Sequence, residues 1–229
     1  DIMVFNMMMF KKLSYDLLCD FVLVVLYGKF LLVLVVNPQK VPVDSVAALI
    51  ARAKAEPLQY ASPGVGTAPQ LAAEVFNELA GVNLGHVAYK GSAPLTQDLL
   101  GGHIGVSFMG ASSAMPQVQA GKLRALAVLD PARLAWIPNV PTMAEAGVKG
   151  AMPFPWQGVV APAGTPAPII QRLHRELDAI LRQAETQAEL RGVGMDVLNG
   201  DPAQMAELVR SDIQRWGPIV RKLGISLDK

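Results

Sequence analysis

From Asn37 onward, short apolar runs alternate with amphipathic segments, and the junctions are marked by glycine, proline or a hydroxyl residue. This alternation constrains the fold more than any other feature. Strand, turn and helix repeated in series build an α/β architecture. In the first helix, Asp44 or Ser45 can cap the start, Val46, Leu49, Ile50 and Ala53 fall at i, i+3, i+4 and i+7, and Pro57 ends it. A strand at 58–61 then leads into Ser62, Pro63, Gly64, Val65, Gly66, Thr67, Ala68 and Pro69. The helix that follows carries Leu71, Val75 and Leu79 on one face with Ala72 and Phe76.

The unit repeats. A strand at 86–89 is followed by a turn of Lys90, Gly91 and Ser92 and a helix through Leu95, Leu99 and Leu100. A strand at 103–108 runs into Met109, Gly110, Ala111, Ser112 and Ser113 and a further helix, and 123–129 is again strand-like. Thr142 and Glu145 have the spacing of a capping box for a short helix. Beyond a strand at 157–161, Thr165 is the expected cap and Pro166 the first residue of a long helix. Its expected inward stripe is Ile169, Ile170, Leu173, Leu177, Ile180 and Leu181. Asp201 and Pro202 open the last helix, with Met205, Leu208, Val209, Ile213, Trp216 and Val220 inward, and Pro218 is expected to kink it or end it early.

The first 36 residues are the most apolar. They hold two apolar runs, 21–27 and 30–36, separated by Gly28 and Lys29. A membrane-spanning helix needs ~20 apolar residues, and 21–36 is shorter with a lysine near its middle, so two buried strands are the better reading. No basic segment followed by an apolar core and a small-residue cleavage site opens the chain, which starts at Asp1 and reads as cut. With 52% apolar and 17% charged residues the chain is expected to fold. A net charge of +1 without a Lys/Arg cluster argues against nucleic acid as a partner. Cys19 is the single cysteine, so no internal disulfide forms, and no Cys/His cluster suggests a metal or other cofactor.

Catalysis is not expected. His86, His103 and His174 stand in no metal-binding or nucleophile motif. His174 reads as a solvated residue on the exposed side of its helix, and His86 and His103 as structural residues at strand starts. The loop of Ser62, Gly64, Val65, Gly66, Thr67 and Ala68 carries more chemistry. Its glycines permit a backbone path that turns N–H groups inward, and the helix starting near Ala68 adds its positive end. It is not a dinucleotide fingerprint, since Pro69 replaces the third glycine, and no Lys-Ser/Thr pair makes it a P-loop. Alone, it reads equally as a tight strand-to-helix turn with a Thr cap. Loops at the carboxyl ends of parallel strands converge, however, and this one is expected to share a site with Gly91 and Ser92 and with Met109 and Gly110. The ligand expected there is a small anion.

The chain also resembles the periplasmic solute-binding proteins of tripartite tricarboxylate transporters, often called Bug proteins. The resemblance runs through Tyr15 and Asp16, Val35 to Pro38, Tyr60 to Ser62 with Gly66 to Pro69, and Tyr89 to Gly91. It continues through Leu99 to Gly102, Gly121 to Val128, Val140 to Thr142 with Glu145 to Gly147, Ala161 to Pro166, and Trp216 with Gly217. It implies a two-lobed periplasmic-binding-protein type II (Venus-flytrap) fold, with 28–157 as one lobe and 1–27 and 158–229 in the other. It further implies a monomeric periplasmic receptor that closes on a small carboxylate and delivers it to the transporter's membrane subunits. Ser62, Gly66, Thr67 and Ala68 match the loop that grips one carboxylate, with the Ser62 and Thr67 hydroxyls assisting.

Met109 and Gly110 stand where members often carry Asp-Asn, which makes an amino-acid ligand less expected. The family's first lobe begins upstream with a proline- and glycine-rich loop not seen here. The first lobe is therefore expected to be incomplete, and this chain alone to expose apolar surface and bind carboxylates poorly. A sensory effector domain and, less so, a phosphate- or nucleotide-binding enzyme remain as alternatives.

Overall fold

The structure is a computed structural model that describes residues 1–226 of the 229-residue chain. In order, its elements are α1 (Ile2–Met9), β1 (Phe21–Phe30), β2 (Leu32–Val36), α2 (Val46–Ala55), β3 (Gln59–Ser62), α3 (Ala68–Ala80), β4 (Gly85–Ala88) and α4 (Ser92–Leu100). There follow β5 (Val106–Gly110), α5 (Ala111–Gln119), β6 (Arg124–Val128), β7 (Trp156–Pro162), α6 (Ala167–Leu181), α7 (Ala184–Gly192), β8 (Met195–Gly200) and α8 (Pro202–Lys222). They form two compact units, Leu31–Phe154 and Asp1–Phe30 with Pro155–Lys229.

The Leu31–Phe154 unit is built on a five-stranded sheet of order β4-β3-β5-β2-β6. The central strand β2 reads Leu-Val-Leu-Val-Val, and all five residues are buried. A continuous apolar run is what a strand covered on both faces requires. Asn37 stops it. Its side chain accepts from the N–H groups of Gln39 and Lys40 and donates to the Leu99 carbonyl at 2.8 Å, pinning the end of β2 to the end of α4. β3 lies parallel to both β4 and β5. The carboxyl ends of the three strands therefore share one edge, and α3, α4 and α5 all begin there. Ser45 caps α2 by accepting from Ala48 N–H.

Three local expectations change in this unit. The Thr142 and Glu145 bonds are reciprocal, at 2.8 and 3.1 Å, but they close a single turn rather than a helix, because Gly147 takes φ +95° within two residues. His103 precedes β5 instead of opening it. Gly105 between them packs under Val41 so closely that any added Cβ would overlap it. Leu79 points outward and is 41% exposed, unlike its neighbours Leu71, Val75 and Phe76.

In the other unit β1 runs between β7 and β8, antiparallel to both. The break expected at Gly28 and Lys29 is absent. Gly28 pairs with Gln157 and Val197, and the Met195 side chain occupies the space a Cβ would need. The turn into the next sheet comes at Leu31, so the two apolar runs are strands of different sheets. In the same unit, Asp212 is buried and its carboxylate accepts from both the Trp156 and Trp216 indoles, at 2.8 and 2.9 Å. The Asp201 and Gln204 capping box opens α8 as a reciprocal pair. The helix continues past Pro218, whose missing bond frees only the Gln214 carbonyl on an exposed face where water can satisfy it.

α6 is rotated from its expected setting and begins one residue later, with Pro166 rather than Thr165 at the cap position and the Thr165 hydroxyl donating to Pro162 O. His174, expected to be solvated, places Nδ1 2.9 Å from the Val24 carbonyl of β1. The face toward the sheet thus runs through Ile170, His174, Leu177 and Leu181. Ile169 and Ile180 are left 50% and 47% exposed. Among the described residues no helix is long and apolar enough to cross a membrane, and no group of three or more His, Cys, Asp or Glu side chains is placed to hold a metal.

Candidate functional site

The loop between β3 and α3 is shaped by its own side chains. Gly66 takes φ +78°, a conformation that costs a side chain strain. The Thr67 hydroxyl donates to the Gly64 carbonyl at 2.8 Å. Thr67 sits at the cap position of α3 without making the side-chain cap its residue type suggests. Ser62 is fully buried, and its hydroxyl also donates to Gly64 O, at 3.0 Å, while accepting from Gly64 N–H. Both hydroxyl protons are spent inside the loop. Among the described residues, none accepts from the N–H of Val65, Thr67 or Ala68. These donors, with the positive end of α3, are what the loop offers an anion.

Beneath the loop lies a polar cluster that sequence reasoning did not assemble. Gln70 accepts from Gly66 N–H at 2.8 Å, and its amide nitrogen lies 3.2 Å from His86 Nδ1. His86 Nε2 is 2.7 Å from Ser62 Oγ. The imidazole stacks on Tyr60, its in-register neighbour across β3 and β4, at 5.0 Å between ring centres. Tyr60 in turn donates to Glu74 at 2.7 Å. Burial lowers the His86 pKa, partly opposed by the Glu74 charge, and burial with the bond to Glu74 raises that of Tyr60. The sequence carries a hint, since Gln70, Glu74 and Asn77 recur at i, i+4 and i+7 as a polar stripe along α3.

The second and third turns meet the first. Tyr89 N–H donates to Ser62 O and Gly91 N–H to Pro63 O, both at 2.9 Å, so the β4–α4 turn is bonded directly to the glycine loop. Gly91 takes φ +104° at the cap position of α4. Ala111, the first residue of α5, donates to Leu31 O at 2.8 Å. Ser92, Met109 and Gly110 line a cavity of about 40 Å³ together with Pro63, Pro69, Leu95 and Ser113. Gly64, Thr67 and Gly91 are half-buried beside it, and Ser62, Gly66 and Ala68 lie buried beneath the surface. Val65 is exposed at the loop tip. Pro63, Pro69, Leu95 and Ser113 are additional lining residues, contributed by neighbours of the expected positions.

A larger hollow of about 500 Å³ opens at the opposite edge of the same sheet, lined by Lys40, Arg52, Glu56, Gln59 and His103 among others. Arg52 and Glu56 pair with each other there. That edge carries the amino ends of β3 and β5, away from the helix N-termini, and in open α/β sheets ligands sit at the carboxyl edge. Size alone does not identify the site.

Comparison with known proteins points the same way. The family model described as "Tripartite tricarboxylate transporter family receptor" matches residues 2–225. Protein BugT of Bordetella pertussis is 35% identical over 218 residues, covering 94% of this chain and 67% of its own length. Among solved structures, R. palustris Rpa4515 with adipate superposes with a TM-score of 0.84 at 33% identity, over 95% of this chain and 73% of that one. MatC (Rpa3494) from Rhodopseudomonas palustris with bound malate gives 0.81 at 28% identity, over 94% and 75%. The chain spans about two thirds of the length of the curated relatives it matches. The mixed α/β fold with two sheets is also that of the periplasmic binding protein BugD, with a TM-score of 0.84 at 27% identity over 98% of this chain and 76% of that one.

Proposed function

This chain belongs to the tripartite tricarboxylate transporter receptor family, and we propose that it captures a small di- or tricarboxylate, or a related organic acid, for delivery to the membrane subunits of such a transporter. The two compact units correspond, on this reading, to the two lobes of a Venus-flytrap receptor working in the periplasm. One observation carries the proposal. Three parallel strands end at one edge, and the helices they feed start around one small cavity, beside a loop whose Val65, Thr67 and Ala68 amides lack acceptors among the described residues. Helix N-termini and inward amides stabilise negative charge without a charged side chain. Such a site favours carboxylates as a class. Met109 and Gly110 add no anionic partner for an amino group, which favours an acid over an amino acid.

Malate and adipate, the ligands named for two solved relatives, are the first probes. Ligand at a hundred times its Kd stabilises a folded protein by about 2.7 kcal/mol. A rise in melting temperature with a carboxylate and none with ATP supports the receptor reading. A rise with ATP and none with any di- or tricarboxylate overturns it in favour of a nucleotide-binding enzyme.

A further inference from the structure

We propose that His86 is a positioning residue, holding the 62–68 loop in its anion-receptive shape through Gln70 on one side and Ser62 on the other, and only while its imidazole is neutral. The inference rests on the reading of that loop as the carboxylate site.

The hydrogen bonds admit one arrangement of protons. Gly66 N–H can only donate, so the Gln70 atom facing it at 2.8 Å must be the amide oxygen. The Gln70 amide nitrogen, a donor, then faces His86 Nδ1, which must accept and carries no proton. The single proton of the neutral ring is on Nε2 and is donated to Ser62 Oγ at 2.7 Å. The Ser62 proton is thereby directed to the Gly64 carbonyl. Gly66 and Gly64, the two glycines that bend the loop, are thus held from opposite ends of one imidazole.

A second proton on His86 breaks this chain. It places an N–H at Nδ1 against the Gln70 NH2, two donors face to face. Flipping the Gln70 amide only moves the conflict, since its NH2 then meets Gly66 N–H. Unflipped, Gln70 keeps the Gly66 N–H but loses its bond to His86 and is pushed away from the ring; flipped, it loses the Gly66 N–H, and with it the tie on the residue held at φ +78°. The titratable groups facing the ring are Tyr60, stacked on it from β3, and Glu74 from α3, which receives the Tyr60 hydroxyl proton. Desolvation keeps the ring neutral near pH 7, in agreement with the geometry.

The test combines NMR and calorimetry on the protein. With 15N-labelled histidine, His86 should show the Nε2–H tautomer at pH 7.5. The Gly66 and Gly64 amide resonances should shift with the His86 titration midpoint, and malate affinity should fall about three- to tenfold across that step, the loss of roughly one hydrogen bond. In His86→Phe, which keeps the ring stack on Tyr60, the Gly66 step should vanish and affinity should be low at every pH. Gln70→Glu, which retains an oxygen for Gly66 N–H but offers His86 no donor, should raise the His86 midpoint and keep Gly66 bonded. An Nδ1–H tautomer, or a Gly66 amide that ignores the His86 titration, overturns the proposal. Glycine resonances that follow His86 in a protein that binds no carboxylate at any pH support the positioning role and overturn the receptor reading instead.

Discussion

The Thr67 hydroxyl is bonded to the Gly64 carbonyl, 2.8 Å away, and so shapes the loop rather than reaching outward from it. A hydroxyl whose proton is spent cannot also donate to a carboxylate. Thr67→Val should therefore cost the loop one neutral hydrogen bond, about 0.5–1.5 kcal/mol, and weaken malate binding by about two- to tenfold. Thr67→Ser should restore it. Calorimetry showing a loss of a hundredfold or more for the valine variant would place the hydroxyl on the ligand instead.

At the start of α5, Gly110 has ordinary φ and ψ, and a Cβ there would meet nothing closer than Ser112 Oγ at 4.0 Å. Gly110→Asp is sterically tolerated and positions a carboxylate to cap α5, taking up N–H groups that would otherwise face an anion. Two opposite readouts are expected: thermal stability unchanged or raised by a few tenths of a kcal/mol, and malate affinity reduced at least tenfold. Unchanged affinity would remove the α5 N-terminus from the site.

Asp212 joins two indoles in the Asp1–Phe30 and Pro155–Lys229 unit, and its burial raises its pKa against the pull of those two hydrogen bonds. Asp212→Ala leaves both indole N–H groups buried without that partner, a cost of about 2–5 kcal/mol. Urea unfolding followed by tryptophan fluorescence should show this as a lower midpoint at unchanged slope. A loss below about 1 kcal/mol would mean that both indoles find other acceptors.

His86 also sets a pH dependence of stability. Its pKa in the folded protein is below the ordinary value near 6.5, so between the two values the unfolded chain binds more protons. Stability from this group is fully present above about pH 6.5 and is lost as pH falls through the lowered folded value. Urea midpoints measured from pH 8 to 5 should decline over that window in the wild type and less steeply in His86→Phe. Parallel declines would assign the pH dependence to other groups.

Gly28 lets β1 pass close beneath Met195, where an added Cβ would lie 2.8 Å from Met195 Cγ and 3.1 Å from Asp196 O. The methionine can move but the carbonyl is backbone. Gly28→Val should destabilise the protein by about 1–3 kcal/mol, as overpacking does. Gly164→Ala, where a Cβ meets nothing but φ is +85°, should cost only the backbone strain, about 1 kcal/mol.

The strand-turn-helix order in 37–129 was legible because period, caps and glycine stops agree there. Ser45, Leu49, Leu95 and Leu99 each do in the structure what their spacing suggests. Elsewhere, local pattern left more than one packing open. The α6 stripe is wide enough to rotate, and the His174 bond to Val24 O selects a face that leaves Ile169 outward. Gly28 looked like a break because a glycine in a strand has two meanings, and only Met195, far along the chain, decides between them. The three glycine turns could be read, since each lies within a few residues of its strand. The cluster under them could not. Gln70, His86 and Ser62 are ordinary residues in sequence and become a chain of bonds only once β3 and β4 pair in register.

The donors left open in the glycine loop belong to the main chain, at Val65, Thr67 and Ala68. An attraction written in the path of the backbone cannot be deleted by exchanging a side chain, provided the path survives. If the loop is the carboxylate site proposed above, drift at Met109, Ser92 or Val65 would retune which acid is preferred while the taste for acids persists. Losing that taste takes a change at what bends the path, Gly66 at φ +78° and the Gln70 oxygen that holds its N–H from beneath.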